Sequence, residues 1–151
     1  MKLLRLFALF VAFGGMVLAA GNEGWMSDLE AAKARAAREH KPLLLEFTGS
    51  VWCGPCIALH KNVLTTPEFA AFSRDVVLVA LDYPTFAERA PEKVKANPAL
   101  ARLMAIKEKY DAPGFPTVIY FDADGKQRAK VTGYGGETPQ KFLAQLNPAA
   151  K

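Results

Sequence analysis

A chain of 151 residues with 19 Lys and Arg against 15 Asp and Glu, a net charge of +4, is expected to fold as one domain. Hydrophobic residues make up 51% of it, ample for a packed core, and no basic cluster suggests a nucleic-acid partner. With two cysteines, Cys53 and Cys56, the chain cannot hold a framework of several disulfides.

Residues 1–20 stand apart from the rest. Lys2 and Arg5 form a basic start, an apolar stretch runs from Leu6 to Ala20, and Val17-Leu18-Ala19 places small side chains near a cleavage point after Ala19 or Ala20. The pattern is that of a secretory signal peptide. An uncleaved anchor is the alternative, although the 15 apolar residues fall short of the ~20 that span a bilayer. Without this segment 17 basic and 15 acidic residues remain, so the basic character comes partly from the leader. The expectation is a single domain over 21–151, periplasmic or secreted.

Ser27-Asp28-Leu29-Glu30 reads as a capping box opening a helix to about Glu39, weakly amphipathic through Leu29, Ala32 and Ala36. Lys41-Pro42 ends it. Leu43 to Phe47 is a continuous apolar run, as a buried parallel strand would be. Thr48 to Val51 is a loop, and Trp52-Cys53 enters a second helix that runs on through Ile57, Leu59 and Val63. Thr66-Pro67 caps a short helix over Glu68–Ser73. Val76 to Leu81 is a second buried strand, and strand–helix–strand implies a parallel pair with a right-handed crossover. From Tyr83 to Asn97 the chain is charged and interrupted by Pro84 and Pro91, which suggests a surface excursion with a helical turn around Pro91–Lys95. Leu100, Leu103, Met104 and Lys107 give helical spacing up to Tyr110. Thr117 to Phe121 and Gln127 to Thr132 form a hairpin about Asp122-Ala123-Asp124-Gly125, and a last helix covers Pro139 to Leu146.

The chemistry is concentrated in Trp52-Cys53-Gly54-Pro55-Cys56. A Cys-x-x-Cys pair that opens a helix can make and break a disulfide, and the helix's unsatisfied N–H groups favour the thiolate of the first cysteine. Other assignments compete. A zinc ribbon needs a second pair or added histidines, and the chain offers His40 and His60. A c-type haem site needs His where Ile57 stands. An inert staple would close so short a loop that it constrains the unfolded chain little.

Strand, CxxC helix, strand, helix, hairpin and helix, with Gly114-Phe115-Pro116-Thr117 ahead of the hairpin, resemble the thioredoxin fold over roughly residues 27 to 147. The implied fold is α/β, a central mixed sheet flanked by helices, with the signal peptide outside it. More narrowly, the chain is similar to exported thioredoxin-like proteins related to the C-terminal domain of the DsbD electron carrier. Lys41-Pro42, Phe47-Thr48-Gly49-Ser50, Leu64–Phe69 and Leu81-Asp82-Tyr83-Pro84 carry that likeness.

The resemblance implies that Pro116 is cis and lies beside Cys53, leaving the Phe115 backbone to pair with an extended substrate. It implies a thiol:disulfide oxidoreductase in which Cys53 attacks and Cys56 resolves. Glu46 falls near the family's buried acid, which assists deprotonation of the second cysteine, although an extra residue in the Thr48–Val51 loop blurs the register. The lysine often found near that acid falls near Ala80. Trp52 would present a rim to the partner, Gly54 and Pro55 fix the turn, and Tyr134 would line the partner surface or serve as a turn aromatic.

Gly-Pro between the cysteines resembles reducing thioredoxins. An exported reductant needs recharging, which implies a membrane thiol-electron donor, with oxidised proteins as clients. No organic cofactor or metal is required, and a monomer is expected. Disulfide oxidation or isomerisation, a metal-handling module using Cys53, Cys56 and His60, and a redox-inert binding domain are the alternatives.

Overall fold

The computed structural model describes residues 24–146. The expected signal peptide at 1–20 lies outside them. Hydrogen-bonded strands form a five-stranded mixed sheet in the order β1-β3-β2-β4-β5 among the described residues. β1 is the two-residue strand Trp25–Met26, β2 is Leu43–Thr48, β3 is Val77–Asp82, β4 is Thr117–Phe121 and β5 is Gln127–Thr132. β3 runs parallel to both β1 and β2, whereas β4 is antiparallel to β2 and β5. The sequence offers no sign of β1, since two residues cannot show a period.

β2 is buried along its whole length, and alternation along it assigns each residue to one side of the sheet. Leu43, Leu45 and Phe47 join Val77, Val79, Leu81 and Ile119 beneath helix α1 (Leu29–Glu39), whose Leu29, Ala32 and Ala36 complete that core. Leu103, Met104 and Ile106, from the helix Pro98–Lys109, pack on the same side. On the opposite face, Leu44, Leu78, Val118 and Tyr120 meet Leu59, Val63, Phe69, Phe142 and Leu146. Glu46 shares the parity of Leu44 and so belongs to that second face.

The helices start where side-chain caps satisfy their free N–H groups. Asp28, not Ser27, caps α1, accepting from Ala31 N–H at 2.9 Å. Both residue types make good caps, and starting one residue later puts Leu29 in the first helical position with its side chain buried. His40 closes the same helix in the left-handed region. Helix α2 spans Gly54–Leu59 with Cys53 as its cap outside it. The chain then continues as a π-helical turn over His60–Leu64, where an unbroken α-helix was expected. Thr66 caps α3 (Pro67–Ser73), its hydroxyl accepting from Phe69 N–H at 3.3 Å.

The excursion after β3 is more structured than its composition suggests. A 3₁₀ turn covers Phe86–Arg89, α4 covers Pro91–Ala96, and α5 is Pro98–Lys109. Glu88 and Thr85 form a reciprocal capping box at the 3₁₀ turn. The Tyr83 hydroxyl donates to the Leu103 carbonyl at 2.8 Å, tying the excursion to α5. The hairpin and the final helix, α6 (Pro139–Leu146), fall where expected, with Gly125 at φ 76° supplying the turn's left-handed residue.

Candidate active site

The loop between β2 and α2 is anchored at both ends. The Thr48 carbonyl accepts from Tyr83 N–H at 2.9 Å. Ser50 donates to the two Asp82 carboxylate oxygens, through its backbone N–H to Oδ1 and its hydroxyl to Oδ2. Cys53 N–H donates to the Gly49 carbonyl at 2.9 Å, and the Cys53 carbonyl accepts from Ile57 N–H at 3.0 Å. Cys53 is thereby fixed as the residue that starts α2, and its sulfur accepts from Cys56 N–H at 3.3 Å. Pro55, with no N–H, removes one competing donor at a position where the helix does not need it.

Cys53 and Cys56 are joined in a disulfide across a Cα–Cα distance of 5.2 Å. Both residues are buried, Cys53 at 5% exposure and Cys56 at 1%, so Cys53 lies slightly nearer solvent. Helix N–H groups pointing at Cys53 stabilise negative charge there when the bond opens.

Trp52 covers the site from one side. Its indole N–H donates to the Tyr83 carbonyl at 2.7 Å, and its ring meets Phe86 and Phe115 edge-on at 5.2 and 5.5 Å. A Cβ on Gly49 would stand 2.4 Å from the indole ring, so only glycine lets Trp52 lie down over the loop. The Phe115–Pro116 peptide bond is cis. The Pro116 carbonyl accepts from Gly133 N–H at 2.7 Å, while the Phe115 backbone forms no hydrogen bond among the described residues. Large exposed hydrophobic side chains among the described residues are Val51, Ile57 and Phe86, each next to the CxxC segment in sequence or packed on Trp52.

Beneath the disulfide lies a cleft of about 390 Å³ lined by Glu46, Thr48, Cys56, His60, Ala80 and Asp82, among others. In the sheet register Glu46 is directly opposite Ala80, and it shares the cleft with Cys56. Burial pushes the Glu46 carboxyl up to about 7; Asp82 adds to the rise, and a hydrogen bond with Thr48 opposes it. A carboxyl poised near neutrality beside a buried thiol is suited to moving a proton. His60 also lines this cleft, four residues beyond Cys56 as its helical spacing implies. No group of three or more His, Cys, Asp and Glu side chains is arranged to hold a metal ion among the described residues.

Tyr134 is half-buried in the loop before α6. Its hydroxyl donates to the Glu137 carbonyl at 2.9 Å and its ring packs edge-on against Phe142 at 5.9 Å, so its contacts are those of a turn aromatic closing the second core. Arg89 escaped the sequence reading. Its guanidinium lies 4.4 to 5.2 Å from the Phe86, Trp52 and Phe115 ring centres, and its Nε donates to the Pro84 carbonyl at 2.8 Å. One arginine in a charged, proline-interrupted stretch gives no local signal that it will fold back onto Trp52.

A mixed sheet with a CxxC disulfide at a helix start and a cis-proline loop defines a thioredoxin-like thiol:disulfide oxidoreductase. The chain belongs to the thioredoxin-like domain family, whose model matches residues 29–150. It is 35% identical over 135 residues to the disulfide bond reductase DsbH of Chlamydia pneumoniae, covering 89% of this chain and 76% of that one. It is 31% identical over 124 residues to the thiol:disulfide interchange protein DsbD of Ralstonia nicotianae, covering 82% of this chain but only 18% of that much longer protein. Among solved structures, a DsbH oxidoreductase superposes with a TM-score of 0.65 over 94% of both chains at 27% identity.

Proposed function

We propose that the chain is an exported reductase of protein disulfides, working as a monomer and recharged by a membrane-bound thiol donor. The observation that carries this most directly is the Cys53–Cys56 disulfide, with Cys53, the slightly more exposed residue, capping α2 and Cys56 sharing a cleft with Glu46. Similarity to a protein named a disulfide bond reductase supports the direction, and the apolar segment at 1–20 supports export.

In the reduced enzyme the Cys53 thiolate attacks one sulfur of a client disulfide. The client S–S bond breaks, a Cys53–client mixed disulfide forms, and the departing client thiolate takes up a proton. Glu46 then accepts the Cys56 thiol proton. The Cys56 thiolate attacks Cys53 sulfur, closing the intramolecular disulfide and releasing the second client thiol. Two electrons pass from the enzyme to the client, and a donor dithiol restores the pair by the same exchange in reverse. Phe115, Pro116 and Trp52 form the surface against which the client backbone lies.

The test is a pair of cysteine variants assayed with a disulfide-bonded protein as client. Cys56→Ser should trap a mixed disulfide through Cys53, visible as a covalent adduct, and Cys53→Ser should neither trap nor reduce. Turnover that survives in Cys53→Ser would overturn the proposal.

A further inference from the structure

Arg89 and Lys107 stand against one face of the site with their charges unanswered. The Arg89 guanidinium and the Lys107 ammonium lie 5.2 and 5.3 Å from the centre of the Phe115 ring. Neither forms an ion pair among the described residues. Acidic groups nearby in the chain or in the surface around Lys107 are engaged elsewhere or form no ion pair with either cation: Glu88 caps the 3₁₀ turn through Thr85, Asp111 pairs with Lys130, and Glu108 shares a pocket with Lys107 without forming an ion pair with it. Arg89 Nη2 is buried with no hydrogen-bond partner. Lys107 Nζ donates to the Ala112 carbonyl, and burial, followed by the neighbouring Arg89 charge, makes its ammonium easier to deprotonate. Two cations sharing one aromatic ring without a counter-ion raise each other's cost, which an arriving anion relieves.

We propose that Arg89 and Lys107 form an acid-reading rim, which receives the carboxylate side chains of an extended client segment as it runs past Phe115 to Cys53. The proposal rests on the client-facing surface described above and adds to it a class of preferred client: a chain with Asp or Glu close to its reactive cysteine. Phe115 links the two functions, because its ring lies near both cations while its backbone, unbonded among the described residues, is the edge along which an extended segment pairs. Phe86, 74% exposed and the nearest ring to Arg89, covers the guanidinium from outside. The excursion at 83–97 thus has a use: it brings Phe86 and Arg89 to the redox site.

The experiment compares synthetic peptides that differ only in bearing Asp, Asn or Lys at the three residues preceding a single cysteine. Each peptide is offered as its mixed disulfide to the reduced Cys56→Ser protein, and the rate constant for forming the Cys53 adduct is measured. In parallel, fluorescently labelled versions with Ser in place of the cysteine are titrated against the otherwise unaltered chain. Two part-exposed ion pairs predict the Asp peptide ahead of the Lys peptide by about tenfold at ~50 mM salt, falling below about threefold at ~500 mM. The ratio should collapse towards one in Arg89→Gln/Lys107→Gln and return in Arg89→Lys/Lys107→Arg. Because each ratio is taken within one protein, a general loss of activity leaves it readable. Equal rates and affinities for the three peptides, or an Asp preference that persists in the double Gln variant, would overturn the rim. If Cys53 reacts with none of them, the reductase assignment fails separately, and the order of affinities of the Ser peptides alone decides the rim.

Discussion

Replacing Glu46 with Gln should make the protein more stable and less active, and the stability change can be worked from its surroundings. Glu46 is 4% exposed, and burial lifts its carboxyl from 4.5, the value of an unperturbed glutamate, to about 7. Between those values the folded state holds a proton that the unfolded state has released, so stability falls as pH rises from 4.5 to 7 and is level above. At ~1.36 kcal/mol per pH unit, the full loss is about 3 kcal/mol, present at pH 8 and absent at pH 4.5. Gln keeps the shape and a hydrogen-bonding group for Thr48 but cannot ionise. The difference in urea-unfolding free energy, Glu46→Gln variant minus wild type with the disulfide closed, should therefore grow from near zero at pH 4.5 to about 3 kcal/mol at pH 8. That corresponds to a melting temperature higher by on the order of 10 °C. Taking the difference cancels every other titrating group common to both proteins. In the same variant, attack by Cys53 should proceed while release of the client slows by about 10²–10⁴, the usual contribution of a general base. Parallel stability curves for the two proteins from pH 5 to 8 would refute the reasoning, because Glu46 would then be no more burdened in the folded state than in the unfolded one.

Other substitutions probe separate parts of the account. Ala80→Lys places an ammonium on the strand position paired with Glu46, and an opposite charge at that range should lower the carboxyl by about 1–3 pH units from about 7, read by carbon NMR, whereas Ala80→Met should not. Gly49→Ala drives a methyl into the Trp52 indole, so the ring must leave and its bond to the Tyr83 carbonyl must break. The expected cost is about 1–3 kcal/mol, with a Trp52 emission change visible once Trp25 is replaced by Phe. Tyr83→Phe removes the hydroxyl that ties the excursion to Leu103 and should cost about 1 kcal/mol in chemical unfolding, with the Cys53–Cys56 potential unchanged.

The parts of the molecule legible from sequence are those whose physics is local. Continuous apolar runs mark β2 and β3, Thr66-Pro67 marks the start of α3, and Asp122 to Gly125 marks the hairpin, because each depends on neighbours a few residues away. The CxxC helix is legible for the same reason. What escapes is what two distant segments decide together. The resemblance sets Glu46 near Ala80, but the strand pairing that fixes their register and puts Glu46 in the cleft with Cys56 is not a local property of the sequence. The π-turn at His60–Leu64 inserts one residue into a helix whose apolar spacing still reads as regular. Arg89 and Phe86 reach Trp52 only because Tyr83 and the Thr85 capping box fold the excursion back. Tyr134, flanked by glycines, reads equally as a rim residue or a turn aromatic, and only Phe142, which precedes the last turn of α6, shows what it packs against.

The central claim is that Cys53 and Cys56 form a working pair poised to reduce. Its most direct test is the reduction potential of the disulfide, equilibrated against dithiothreitol or glutathione and read by thiol trapping. A reversible two-electron couple near −270 mV, about that of thioredoxin, is the expected result. A potential near about −120 mV, or a pair that never cycles, would contradict it.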